Sequence, residues 1–187
     1  MSIKIFVAGD LHIPSRATML HPKFQIILEN EKWDYIVLTG DYTIPEVMDS
    51  FKPHVKKTQN FIACQGNMDR FPLPERPTFE IYDIRMGAFH GTGIYPRGDI
   101  DQLKKIANEM NVQVLITGHS HKIIFYFDKE HIILNPGTSS GASGGSSWSV
   151  DIGIFSIEVI TSKELIIELF ELTARSKLRS IIKEIQL

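Results

Sequence analysis

Five apolar runs, each ending in a short turn with a metal-type side chain, constrain this chain more than any other feature. They are KIFVAGDLH (4–12), YIVLTGD (35–41), FIACQGN (61–67), MGAFHG (86–91) and VLITGHSH (114–121). Short apolar runs bounded by glycine read as buried strands. A glycine after such a strand lets the backbone turn sharply and brings the next side chain close to an ion without a Cβ clash. In open sheets of such units, sites collect at the carboxyl ends of the strands, so turns far apart in sequence converge on one pocket.

The side chains so collected are Asp10, His12, Asp41, Asn67, His90, His119 and His121. Asp10 and His12 are two apart, as are His119 and His121, and in extended backbone alternate residues share a face and reach one ion. Taken singly, an Asp-x-His is common by chance, and His90 at the end of an apolar run reads as a satisfied core histidine. The repetition at strand ends is what a purely structural chain has no reason to produce. Two carboxylates, an amide and four imidazoles exceed what one ion of ordinary coordination number takes, and the oxygen and nitrogen mixture suits Mn²⁺, Fe²⁺, Co²⁺, Ni²⁺ or Zn²⁺. Two divalent metal ions sharing a ligand are therefore expected. Against two carboxylates they leave a surplus of about two positive charges, so the pocket should attract an anion. A metal pair that activates water and steadies a phosphoryl centre points to hydrolysis of a phosphate ester.

Between these turns the chain alternates. Residues 22–31 carry Phe24, Ile27 and Leu28 at helical spacing behind Pro22, and 45–52 repeats the logic with Val47, Met48 and Phe51. The opening β-α-β-α-β pattern implies parallel strands. TFEIYDI and MGAFH then read as two strands joined tightly at Arg85 to Gly87, and 99–110 as a helix with Asp99 as N-cap and an apolar stripe through Ile100, Leu103, Ile106, Ala107 and Met110. IIFYF, HIIL, DIGIFSIEVI and ELIIELFEL supply further strands. The expected fold class is α/β, a four-layer α/β/β/α sandwich of two mixed sheets, with residues 1–187 forming a single domain. Leu178, Ile181, Ile182 and Ile185 in the tail are spaced for a helix docked on the domain, or on a partner subunit. The stretch TSSGASGGSSWS (138–149) reads as a flexible loop without chemistry, the alternative being a substrate-facing flap with Trp148 as its contact group.

A chain of 187 residues, 43% hydrophobic and 22% charged, has ordinary globular composition. Its 20 basic and 22 acidic residues leave a formal charge of −2, so no global field recruits nucleic acid or an anionic membrane. Cys64, the lone cysteine, lies in the run FIAC and reads as a buried core thiol. The first strand begins within a few residues of the start and is too short for a signal segment or a membrane span, so a cytoplasmic protein is expected.

DLH at 10–12, GD at 40–41, GNMD at 66–69, HG at 90–91 and GHSH at 118–121 resemble, in order and spacing, the motifs of the calcineurin-like metallophosphoesterases. NPGT at 135–138 looks like the Asn-Pro-Gly-Ser turn of that superfamily's small phosphodiesterase branch, which also holds the retromer subunit of the same fold; GDLHIP at 9–14 and HGTGIYPRGD at 90–99 look especially like that subunit. The resemblance implies that Asp10, His12, Asp41 and His121 hold one ion and Asp41, Asn67, His90 and His119 the other, Asp41 bridging. It further implies Mn²⁺ first among the metals, a hydroxide between them as nucleophile, charge on the phosphoryl oxygens steadied by the metals, the Asn67 amide and nearby backbone donors, and Asp10, His12, Asp41, Asn67 and His90 as the catalytic set.

Two departures from the family pattern bear on chemistry. Many members carry histidine after the asparagine of the third motif, as proton donor to the leaving oxygen; here Met68 stands there, and a thioether donates no proton. Good leaving groups, and diesters over monoesters, are then expected. Thr92 stands where relatives often place a second histidine. Asp69 reads either as a support for His12 or another ligand, or as an ordinary turn aspartate. Arg16, Arg70 and Arg97 read as solvated surface residues, the alternative being a grip on the non-reacting part of a substrate. The expected partner is a small phosphoester. A second reading is a protein-docking scaffold like the retromer subunit, with weak catalysis, and a homo-oligomer or protein partner is compatible with either. The retromer subunit lacks the intact aspartate and asparagine of the second and third motifs, whereas Asp41 and Asn67 are kept here.

Overall fold

The five apolar runs that lead into the glycine turns all become strands, four of them largely buried on both faces and the one over Phe61–Ala63 partly so. A computed structural model describes residues 2–144 and 149–187. Strand β1 (Ile3–Ala8) leads through helix α1 (Pro22–Glu29) to β2 (Tyr35–Leu38), then through the single-turn helix α2 (Glu46–Asp49) to β3 (Phe61–Ala63). The hairpin β4 (Thr78–Ile81) and β5 (Ile84–Phe89) is followed by α3 (Ile100–Met110) and β6 (Val114–Thr117). Five further strands complete the chain: β7 (Ile123–Phe127), β8 (Ile132–Pro136), β9 (Gly153–Thr161), β10 (Glu164–Leu172) and β11 (Leu178–Gln186).

The strands form two mixed sheets, one in the order β11-β10-β9-β1-β2-β3 and the other β4-β5-β6-β8-β7. Alternation along β1 sets the layers, because successive side chains point to opposite faces. Ile5 and Val7 enter the layer between the sheets, where they join Met86, Ala88, Ile116 and Leu134. Phe6 and Ala8 point outward to a second layer with Phe24 and Leu28 of α1, Trp33 and Phe51. A third layer packs Leu103, Ala107 and Met110 of α3 on Phe89, Leu115 and Ile133. This is the expected four-layer α/β/β/α arrangement. Truncating a fully buried residue such as Phe24 or Leu28 to alanine would cost roughly 2–5 kcal/mol.

Strands β1, β2 and β3 run parallel in one sheet, and β5, β6 and β8 in the other. Their carboxyl ends therefore deliver the turns after Ala8, Leu38, Ala63, Phe89, Thr117 and Pro136 toward one edge of the sandwich.

Three local expectations fail. The tail is not a helix: Leu178–Gln186 pairs antiparallel with β10, from Leu172↔Leu178 to Glu164↔Gln186. Four apolar residues spaced three and four apart fit a helix, but the preceding nine-residue strand offers a backbone ladder, and only Ile185 among them is buried. The turn between β4 and β5 falls at Tyr82 and Asp83, with Tyr82 at φ 53°, rather than at Arg85 to Gly87. The helix after Pro45 stops at Asp49, and the chain continues as a 3₁₀ turn over Lys52–His54, since Pro53 cannot donate to a longer helix.

Candidate metal centre

The turns after β1, β2 and β3 press against one another closely enough to dictate glycine. At Gly66 an added Cβ would lie 2.1 Å from the Asp41 amide nitrogen, and Gly40 combines a φ of +95° with Gly66 backbone 2.8 Å from where its Cβ would be. Such contacts fix the ligand-bearing residues relative to each other before any side chain is considered. The reach of those residues does not come from extended backbone, as their spacing suggests. Asp10, His12, Asp41, His119 and His121 all have positive φ, between 47° and 67°. Left-handed residues separated by one position turn both side chains of a pair inward, at a cost of order 1 kcal/mol or more each.

All seven predicted residues reach one region. His12 Nε2 lies 3.4 Å from Asp41 Oδ2 and 3.1 Å from His121 Nε2, while His121 Nε2 is 3.4 Å from Asp10 Oδ1. On the other side His90 Nε2 lies 3.5 Å from Asp41 Oδ2 and 3.1 Å from Asn67 Oδ1, and the His119 ring meets the His90 ring edge-on with centroids 5.0 Å apart. Asp41 thus stands between His12 and His90. Asp10, His12 and His121 form one group that could hold a metal ion, and Asp10, Asp41 and His90 another. Asp10, and not Asp41, is common to both.

Second contacts orient these groups. His90 Nδ1 donates to the Thr39 carbonyl at 2.7 Å and His121 Nδ1 to the Ala142 carbonyl at 3.2 Å, so each presents Nε2 to the cluster. Asp10 Oδ2 accepts from the His119 amide at 2.9 Å and Asp41 Oδ1 from the Met68 amide at 2.8 Å, leaving one oxygen of each carboxylate inward. Asp10 Oδ1 and His12 Nδ1 are buried without a hydrogen-bond partner. An orphaned carboxylate oxygen and two imidazole nitrogens face to face are what a divalent cation would satisfy, so the donor set fits one.

The electrostatics follow from burial and from the two carboxylates. Burial holds His12 and His119 down to about 4, the charge of His90 adding to the effect on His119. Burial also opposes charge at Asp41 and His90, but each overcomes it through the other: the Asp41 carboxyl falls to about 2 and the His90 imidazole rises to about 9.

Asp69 does not touch His12. Its carboxylate accepts from the amides of Asp41 (3.0 Å), Tyr42 (2.7 Å), Thr43 (2.9 Å) and Gly66 (2.9 Å), tying the turns after β2 and β3 together. The beginning of the Ser-rich stretch is packed rather than loose: Thr138 Oγ1 donates to the Asp10 carbonyl at 2.9 Å, Ser140 Oγ to the Leu11 carbonyl at 2.6 Å, and Ser139 Oγ accepts from Gly9 at 3.0 Å. Asn135 Nδ2 donates to the Gly118 carbonyl at 2.8 Å and steadies the turn that carries His119. Sequence reasoning missed this strap; its signal was the NPGT turn closing a buried strand. Trp148 lies outside the described residues.

A cavity of about 460 Å³ opens over the cluster, lined by His12, Asp41, Asn67, His119 and His121 together with Met68 and the exposed Arg16 and Arg97. Arg70 and Thr92 do not line it. Among the described residues no helix is long and apolar enough to cross a membrane.

Comparison with known proteins agrees with this chemistry. The calcineurin-like phosphoesterase superfamily domain matches residues 3–157. A probable metallophosphoesterase of Methanocaldococcus jannaschii is 40% identical over 134 residues, which are 72% of this chain and 67% of that protein. Vacuolar Protein Sorting 29 from Cryptosporidium parvum has the same fold, with a TM-score of 0.90 at 23% identity over 100% of this chain and 99% of the other. Vps29 from Entamoeba histolytica complexed with Zn²⁺ gives 0.85 at 23% identity over 97% and 99%. Strand ends, glycine turns and a buried carboxylate and imidazole cluster thus accompany a family match over most of the sequence, and the chain belongs to the calcineurin-like phosphoesterase superfamily.

Proposed function

We propose that the chain is a phosphodiesterase working with two divalent transition ions, Mn²⁺ first among them. The observation that carries this reading is Asp41, buried between His12 and His90 with one oxygen tied to the Met68 amide and the other turned into the cluster. Asp10, His12, Asp41 and His121 would hold one ion and Asp41, Asn67, His90 and His119 the other. Such ions, when bound, lower the pKa of water to about 7 and neutralise charge on a phosphoryl centre.

The chain's own groups do the rest. The Asn67 amide, exposed at the cavity, can donate to a phosphoryl oxygen as negative charge grows there. His90 and His121, each pinned by its Nδ1 on a backbone carbonyl, keep a fixed ring orientation, so neither needs to reorganise during reaction. Met68 lines the cavity where a proton donor would act. A missing general acid removes a factor of roughly 10²–10⁴ for poor leaving groups, which favours activated esters and diesters over alkyl monoesters.

The test is direct. Protein stripped of metal and reloaded with Mn²⁺ or Ni²⁺ should hydrolyse bis-p-nitrophenyl phosphate faster than p-nitrophenyl phosphate, and equal rates or a monoester preference would contradict the reading. A docking role is the second reading, supported by the end-to-end fold likeness to Vacuolar Protein Sorting 29 and by the exposed Leu178 and Ile182 on β11. One domain spanning 1–187 and a cytoplasmic, reducing location, compatible with the buried free thiol of Cys64, complete the proposal.

A further inference from the structure

Two guanidinium groups stand at the cavity without counter-ions. Arg16 follows the turn after β1 and Arg97 belongs to the loop after β5; both line the cavity, and neither pairs with a carboxylate among the described residues. Arg76 and Arg179, by contrast, sit on Glu109 and Glu171. The backbone around the first two is held, that of Arg16 by its amide donating to the His12 carbonyl at 2.8 Å. Arg16 Nη1 donates to the Ser143 carbonyl at 3.1 Å, which occupies one of its five donors and leaves the others free. The loop bearing Arg97 is tied to α3 by Gln102, whose Nε2 donates to the Tyr95 carbonyl at 2.6 Å.

Charge decides what these groups await. With the two ions of the proposed function bound, four positive charges from metal and two from arginine would face only the carboxylates of Asp10 and Asp41, an excess of about four. A simple diester returns one negative charge. Nor does apolar contact supply the remaining recognition among the described residues, where Met68 is the sole apolar side chain lining the cavity and no Phe, Tyr or Trp lines it. A guanidinium fork matches phosphate oxygens in pairs and holds them by charge-assisted hydrogen bonds.

Resting on the phosphodiesterase reading, we infer that Arg16 and Arg97 bind a second phosphate group of the substrate, remote from the ester being cut. The substrate class is thus a phosphoester bearing a further phosphate, and the two arginines set specificity.

Calorimetric titration of the Mn²⁺-loaded protein with thymidine 3′,5′-bisphosphate and with thymidine 5′-phosphate tests this without depending on turnover. The bisphosphate should bind about tenfold tighter or more, in line with one or two charge-assisted contacts. Arg16→Gln and Arg97→Gln should each narrow that gap, and the double variant should abolish it. Equal affinities in the unaltered protein, or a gap that survives the double substitution, would overturn the inference. Protein that shows the gap yet hydrolyses no diester would lose the proposed activity and keep this site; protein that hydrolyses diesters without the gap would lose only the site.

Discussion

His12 and His121, 109 positions apart in the chain, direct their Nε2 atoms at each other across 3.1 Å. Two ring nitrogens at that separation need something between them, a shared proton or a cation, and the partnerless Asp10 Oδ1 nearby favours the cation. Adding Mn²⁺ to chelator-treated protein should therefore raise its melting temperature. At an ion concentration a hundredfold above Kd the gain is about 2.7 kcal/mol, or roughly 5–10 °C for a chain of this size. A thermal scan that does not move with metal would remove the centre.

Asp41→Ala should empty both positions together, because Asp41 lies within 3.4 Å of His12 and 3.5 Å of His90. Elemental analysis of the purified variant checks the claim: fewer than one ion per chain is expected, and two retained ions would refute a shared ligand.

Asp69→Asn should harm both stability and metal uptake, although Asp69 touches no ligand side chain. Asparagine keeps one acceptor oxygen for four amides that the carboxylate now satisfies, so at least two buried donors lose their partner, at roughly 1–3 kcal/mol each. Denaturant titration reads the first effect and metal content the second. A variant as stable as the parent would show the carboxylate to be dispensable.

Met68→His should raise p-nitrophenyl phosphate turnover more than bis-p-nitrophenyl phosphate turnover, since it restores a proton donor to a position lining the cavity. A gain of about tenfold in the monoester to diester ratio is expected. An unchanged ratio would mean that leaving-group protonation is not what Met68 limits.

Metal-free protein should be most stable near the ordinary histidine pKa. His12 and His119, held to about 4, stay neutral in the folded chain while the unfolded chain gains protons below about 6.5, so their contribution is lost as pH falls from there toward 4. His90 works the other way: raised to about 9, it stabilises fully below 6.5 and loses that contribution as pH climbs through 9. Denaturation midpoints measured in chelator between pH 4 and 9 should trace a dome, and a steady rise to pH 9 would contradict the pairing of His90 with Asp41.

The sandwich and the seven clustered side chains were readable because each strand leading into the site announces itself by an apolar run and each turn by a glycine beside a ligand-type residue. What lay beyond the sequence was conformation that no spacing encodes. Asp10 and His12 look like neighbours on an extended strand, yet their φ angles are 47° and 48°. Leu178, Ile181, Ile182 and Ile185 carry a helical period, but pairing with β10 outweighs a pattern that buries Ile185 alone. Thr138, Ser139 and Ser140 are small and polar and so read as loose; their hydroxyls instead lock onto the backbone after β1 and the start of β9. Asp69 acts on amides of Asp41, Tyr42 and Thr43, about 27 positions upstream, a long-range partnership invisible to local inspection.

The left-handed backbone at Asp10, His12, Asp41, His119 and His121 sets durability against chemistry. Glycine or asparagine would occupy those angles with less strain, so evolution in the laboratory for heat resistance alone, in the presence of chelator, should drift toward them at these positions. The same lineages would grow hardier as they lost the capacity to bind an ion, and restoring a requirement for metal would reverse the drift.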